Sequence, residues 1–108
     1  MGYDFHITRA AGWVDAEHHP IDRQKWLSLA VGSPALVQAG KASFTDGPSG
    51  EEVEYPIFGL LRIYGPSLYW RNGEVVVGGA NEDNISDLVH IAQQLGAQLL
   101  GDDGEEYE

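Results

Sequence analysis

Apolar and polar side chains alternate near the start of the chain. Tyr3, Phe5 and Ile7 occupy every second position, and polar residues such as His6 and Thr8 lie between them. A period of two is typical of a β-strand that buries one face and exposes the other. The pattern predicts a strand over residues 3–9, with His6 on its solvent-facing side.

A different spacing predicts a helix after Asp22. Asp22 suits the N-cap, since its carboxylate can accept hydrogen bonds from the first-turn amides. Ile21 and Trp26 have the spacing of a hydrophobic staple, and Leu29 continues the apolar stripe. Gly32, followed by Ser and Pro, predicts the end of this helix.

The pair Asn72-Gly73 predicts a two-residue hairpin with a type I′ turn, because both residues tolerate positive φ. This turn defines a register in which Arg71 faces Glu74 as an opposite-charge pair. The remaining predicted pairs are Trp70 with Val75, Tyr69 with Val76 and Leu68 with Val77.

The pattern between the first helix and this hairpin is weaker. Residues 41–45 are compatible with a short strand, and residues 58–64 with another. Between them, residues 46–56 read as a long, acidic loop that is rich in Gly and Pro.

The clearest helical period follows residue 81. The apolar residues recur at helical spacing, Asn81 suits the N-cap and Gly96 the end. Residues 97–100 then read as a short strand. The apolar stripe comprises Ile85, Leu88, Val89, Ala92 and Leu95.

This order of elements predicts an α+β fold. We expect one domain over residues 1–108, with an antiparallel sheet of four or five strands and two helices packed on one face. The other face would be exposed, which would explain the polar strand residues His6, Thr8, Arg71 and Glu74. From about residue 101 we expect an acidic tail or turn.

The charge narrows the classes of partner. The chain has 17 acidic and six basic residues, a net charge of −11. Direct contacts with nucleic acid phosphates or anionic membranes need Lys and Arg, so neither partner is expected. A basic protein partner, or solubility alone, accounts for the acidity. The oligomeric state is left open.

Two features bear on the compartment. The chain has no Cys, which removes disulfides and thiolate chemistry, and its first residues do not read as a signal peptide. No apolar run approaches the roughly 20 residues of a membrane span. We expect a soluble, cytoplasmic protein.

Acidic residues cluster in the predicted loop and again near residue 101. Each cluster reads either as a solvated segment or as a surface that attracts a basic protein. Trp13 lies outside any apolar period, so it would either plug the edge of the core or anchor an interface. The candidate partner-binding residues are Glu51, Glu52, Glu54, Asp102, Asp103, Glu105, Glu106 and Trp13.

No motif assigns a catalytic residue, a metal ligand or a cofactor. His6, His18 or His19 could join a carboxylate at a zinc ion, but exposed or singly hydrogen-bonded histidines are the ordinary alternative. Residues 77–81 lack the lysine and spacing of phosphate-binding loops. A small metal-dependent hydrolase and a nucleic-acid mimic remain as alternatives to a binding protein.

Both ends of the chain resemble a group of short bacterial proteins of unassigned function. The start reads MGYD, an apolar residue and HITR, and the end reads GDDGE followed by Tyr107. Members also carry Glu before the Trp of the first helix, where this chain has Lys25, so its cap depends on Asp22 alone. In size and charge these proteins are similar to immunity partners of bacterial polymorphic toxins. The resemblance implies a non-catalytic inhibitor of a basic toxin.

Overall fold

The structure is a computed structural model and describes residues 4–34, 36–60, 66–80 and 82–107, with only the backbone of residues 13 and 14. Within these residues the predicted α+β fold is confirmed, but the sheet has seven strands rather than four or five. The elements are β1 Phe5–Thr8, a 3₁₀-helix Trp13–His18, α1 Arg23–Gly32, β2 Leu36–Phe44, β3 Val53–Leu60, β4 Ser67–Arg71, β5 Glu74–Gly78, a 3₁₀-turn Glu82–Asn84, α2 Ile85–Gln94, β6 Gln98–Gly101 and β7 Glu106–Tyr107.

The sheet order is β2-β3-β4-β5-β1-β6-β7. β1 is antiparallel to both of its neighbours, β5 and β6, so these two strands run parallel to each other. Because α2 connects β5 to β6, β1 is inserted into the middle of a β-α-β unit. β1 therefore separates β5 from β6, and its side chains can contact residues of both strands.

The hairpin between β4 and β5 confirms the predicted turn. Asn72 and Gly73 have φ values of 53° and 87°, as a type I′ turn requires. All four predicted pairs occur, from Arg71 opposite Glu74 to Leu68 opposite Val77.

One apolar core lies between the sheet and both helices. Trp26 of α1 is fully buried and meets Phe58 of β3 edge-on, with ring centroids 5.8 Å apart. Ile21 is buried in the same core, as the predicted staple requires. The helices therefore bury the stripes that their sequences predict, and Ile91 adds to the stripe of α2.

The solvated face expected for β1 is wrong. His6, Thr8 and Glu74 are all buried, with exposed fractions of 6%, 0% and 8%. β1 is bracketed by two strands, and the 3₁₀-helix that follows it contacts both β1 and β5. The alternation of polar and apolar residues therefore distinguishes the two faces of β1 correctly. It does not show that the polar face is exposed to solvent. Of the four polar strand residues, Arg71 alone is partly exposed.

Several predicted boundaries shift. β2 begins at Leu36, well before residue 41, and β3 begins at Val53, so the expected loop shortens to residues 45–52. Asp22 is the N-cap of α1, but its side chain makes no capping hydrogen bond. α2 is preceded by a 3₁₀-turn and has Asn84 at its N-cap.

The remaining predictions concern the strand after α2, the end of α2 and several residues that the structure does not describe. The short strand after α2 is present as β6, and Gly96 ends the helix with a φ of 65°. The expected Asn81 cap and the strand residues 61–64 lie outside the described residues, as do Tyr3 and the side chain of Trp13. None of the described helices is long and apolar enough to cross a membrane.

Gly73→Ala should destabilise the protein by more than about 1 kcal/mol, because a side chain at positive φ is strained. A Cβ at this position would also lie 2.9 Å from both the Ala16 carbonyl oxygen and the Pro20 Cβ. Chemical denaturation of wild type and variant measures the difference.

The matched control is Gly104→Ala. Gly104 has the same φ of 87°, but a Cβ there has nothing within 4 Å. The Gly73 variant should be the less stable of the two. Equal losses would show that the contact between the turn and the segment around Ala16 is unimportant.

Candidate functional site

The acidic loop between β2 and β3 is folded back on itself. The Glu51 carbonyl accepts a hydrogen bond of 3.0 Å from the Gly47 amide, and its carboxylate accepts one from the Ser49 amide. Glu54 lies in β3, where it forms an exposed ion pair of 3.8 Å with Lys41. These contacts compensate part of the negative charge that the sequence places here.

The second acidic cluster forms the turn between β6 and β7. The Gly101 amide donates to the Glu105 carbonyl at 2.8 Å, and the Gly104 amide donates to the Gly101 carbonyl at 2.9 Å. Asp102 is partly buried, whereas Asp103, Glu105 and Glu106 are exposed. We call residues 98–107 the acidic hairpin.

The two clusters lie at diagonally opposite corners of the sheet. The register places the β2–β3 loop at the strand end of the Asn72-Gly73 turn, and the β6–β7 turn at the other end. β3 and β7 are also separated by five strand spacings, about 24 Å along a flat sheet. The structure therefore does not bring the predicted partner-binding residues into one surface.

The charge is segregated along the chain, a signal that the sequence analysis missed. Residues 72–108 contain nine acidic residues and no Lys or Arg. The described part of this stretch forms β5, α2, β6 and β7, so it occupies one half of the fold. We call this the acidic half, and the acidic hairpin is its outer edge.

A buried histidine lies within the acidic half. His6 projects from β1 between two carboxylates: its Nδ1 bonds the Glu74 carboxylate of β5, and its Nε2 lies 2.8 Å from Oδ1 of Asp102. The other oxygen of Asp102 accepts a hydrogen bond of 2.9 Å from the Asp4 amide. This His6 cluster joins three segments that are far apart in the chain.

The electrostatics of the His6 cluster favour a charged imidazole. Burial lowers the pKa of His6, but the hydrogen bonds and charges of Glu74 and Asp102 outweigh it, and the net pKa is raised. For Asp102, burial raises the pKa, but the hydrogen bond from the Asp4 amide and the contact with His6 lower it by a larger amount. The net pKa of Asp102 is therefore lowered. The two carboxylates therefore favour the protonated form of the His6 ring that lies between them.

This arrangement is suited to holding strands together rather than to chemistry. Both ring nitrogens of His6 are engaged by carboxylates, so neither is available to accept a proton from a substrate. The two carboxylates approach different ring nitrogens and do not converge on one point. Within the described ranges, no three His, Asp or Glu side chains are placed to hold a metal ion.

The other three histidines are exposed, whereas His6 is buried. His18 and His19 are exposed in and after the 3₁₀-helix, and His90 is exposed on α2, as its position off the apolar stripe predicts. Its Nε2 lies 3.5 Å from the Gln94 amide nitrogen. Among the residues that the structure describes, none of these three histidines has a carboxylate partner.

A second polar cluster anchors the β2–β3 loop. Two guanidinium nitrogens of Arg71 donate to the two oxygens of Asp46 at 2.8 Å each, and the Tyr55 hydroxyl donates to Asp46 at 2.8 Å. The guanidinium also stacks 3.6 Å from the ring centre of Phe44. The predicted charge pair of Arg71 with Glu74 is therefore wrong as a contact: the residues face each other, but each side chain has a different partner.

Two of the surface depressions that described residues line lie near the helices, and neither of these two includes the His6 cluster. One, of about 240 Å³, is lined by Leu60, Asp87, His90 and others between β3 and α2. The other, of about 380 Å³, lies beside Thr8 and Gln98. Both linings combine polar and apolar side chains, and this combination does not indicate a particular reaction.

Comparison with known proteins gives no match: no family model, no curated protein and no solved structure matches this chain. The functional argument therefore depends on the geometry and charge of the chain itself.

Asp46→Asn should reduce the loss of stability in acid. The hydrogen bonds from Arg71 and Tyr55 lower the pKa of Asp46, so its stabilising effect is present above its unfolded pKa and disappears as the pH falls through the lower, folded value. Thermal unfolding followed from neutral to acidic pH should therefore give a flatter profile for the variant.

The control is Glu52→Asn, which removes an exposed acid from the same loop. Its profile should keep the slope of the wild type. A wild-type slope in the Asp46 variant would contradict the role given to the Arg71 contact.

Proposed function

We propose that this protein is a non-catalytic binding module whose acidic half attaches to a basic protein, in the manner of an immunity-type inhibitor of a bacterial toxin. The observation that supports this proposal most directly is the segregation of charge. Nine acidic residues and no Lys or Arg occur in residues 72–108, and the strands of this stretch lie on both sides of β1 in one half of the sheet.

The geometry favours the acidic hairpin as the contact surface. Asp103, Glu105 and Glu106 project from a turn with ordered backbone hydrogen bonds, so their charges are held in place. In the other corner, Lys41 and Arg71 pair with Glu54 and Asp46. Residues 72–108 contain no Lys or Arg, so the field of the hairpin would attract a cationic surface.

The resemblance of both chain ends to short bacterial proteins, similar in size and charge to toxin immunity partners, supports an inhibitory role. Toxins that act on nucleic acids need basic clefts to bind phosphates. A rigid carboxylate surface could cover such a cleft without any reaction of its own. The engagement of both His6 nitrogens also favours binding over catalysis.

The proposal is tested by neutralising the hairpin. A triple variant, Asp103→Asn, Glu105→Gln and Glu106→Gln, removes three charges with little change in shape. Partners captured from the native lysate at low and high salt are identified, purified and remeasured against both proteins. We expect the association rate to fall roughly tenfold or more, together with a weaker salt dependence.

The matched control removes three exposed acids elsewhere: Glu17→Gln, Glu51→Gln and Glu52→Gln. It should retain nearly the wild-type rate. If the control loses the partner and the hairpin variant does not, the contact surface is the β2–β3 loop. A partner that both variants bind at the wild-type rate would refute charge-driven recognition.

A further inference from the structure

Asp102 adds a side-chain contact between the turn of the acidic hairpin and β1, next to the backbone pairing of β6 with β1. One of its oxygens lies 2.8 Å from Nε2 of His6, and the other accepts the Asp4 amide at 2.9 Å. Asp102 directly follows β6, so it is the first residue of the hairpin turn. A change in the protonation of His6 therefore acts directly on a residue of the acidic turn.

The His6 cluster depends on a proton. An imidazole donates from both nitrogens only when it is protonated, and here each nitrogen faces a carboxylate. A neutral ring would direct a lone pair at one of them. Two ionised carboxylates would then share a half-buried site without the cation between them, which is unfavourable.

The two carboxylates differ in how easily they can leave. The Glu74 side chain is 11% exposed, whereas that of Asp102 is 36% exposed. Asp102 already borders on solvent and can therefore rotate into water more easily than the more enclosed Glu74. When His6 loses its proton, the contact with Asp102 should break first.

We infer that His6 is a proton-dependent clamp that holds the turn of the acidic hairpin against β1, so that deprotonation of His6 loosens that turn. This inference rests on the proposed function only in naming the hairpin as the partner surface. The clamp itself follows from the contacts of His6, Glu74 and Asp102. Through it, the pH would control how rigidly the binding carboxylates are presented.

The neighbouring charges support this behaviour. Arg71 lies opposite Glu74, but its guanidinium is paired with Asp46. On β4, burial raises the pKa of Tyr69, and the charges of Asp4 and Glu74 raise it further against the effect of Arg71, so this phenol stays neutral. The ionisable groups of the 3₁₀-helix (Asp15, Glu17 and His18) and of α2 (Asp87 and His90), the other elements that contact β1, are exposed.

The sign of the pH effect follows from the raised pKa of His6. Its stabilising contribution is complete below the ordinary histidine pKa and disappears as the pH rises through the higher, folded value. The hairpin should therefore be more protected at mildly acidic pH than above the His6 titration.

Amide hydrogen exchange at Gly101, whose amide bonds the Glu105 carbonyl, tests the clamp without any partner. Exchange is measured by NMR across a pH series and corrected for its intrinsic pH dependence, while the ring protons of His6 report its titration. Protection should fall with the His6 titration, roughly tenfold for each unit by which the clamp raises its pKa. Protection that stays constant while His6 titrates would overturn the inference.

Variants assign the effect to the cluster. Asp102→Asn should lower the His6 pKa and remove the pH dependence at Gly101, whereas His90→Gln, at an exposed position of α2, should change neither. A pH dependence that survives in the Asp102 variant would contradict the clamp. Partner affinity is then followed over the same pH range: loosening without a change in affinity would retain the clamp and refute the hairpin as the contact surface.

Discussion

The insertion of β1 between β5 and β6 is the constraint on which the other features of this fold depend. One side of β1 contributes Phe5 and Ile7 to the apolar core beneath the helices. The other side presents His6 to Glu74 of β5 and to Asp102, which directly follows β6. These contacts add a polar connection between β1 and the segments on either side of it.

The same insertion separates the charges. β5, α2 and β6 enclose β1 and carry the acidic stretch, while four of the six basic residues of the chain are contributed by residues 23–62. The two acidic corners lie about 24 Å apart by strand spacing. Because charges are screened over about 8 Å at physiological ionic strength, the corners act as independent fields rather than as one.

A buried carboxylate–histidine contact is often a sign of catalysis, but its surroundings decide its role. Here the imidazole is enclosed by carboxylates at both nitrogens. The cluster ties β1 to β5 and to the turn after β6, and its carboxylates favour the protonated ring. Recognition would then come from the combined field of exposed carboxylates, with the cluster fixing their position.

Local patterns determined the elements that depend on neighbouring residues. Asn72-Gly73 specified the turn and with it the whole β4–β5 register, since turn geometry fixes pairing in a two-residue hairpin. Likewise, the apolar stripes predicted the buried sides of α1 and α2. The tertiary structure alone decided the environment of His6 and the partner of Arg71. Both depend on residues 25 to 96 positions away, and one-dimensional spacing carries no information about which segments become adjacent.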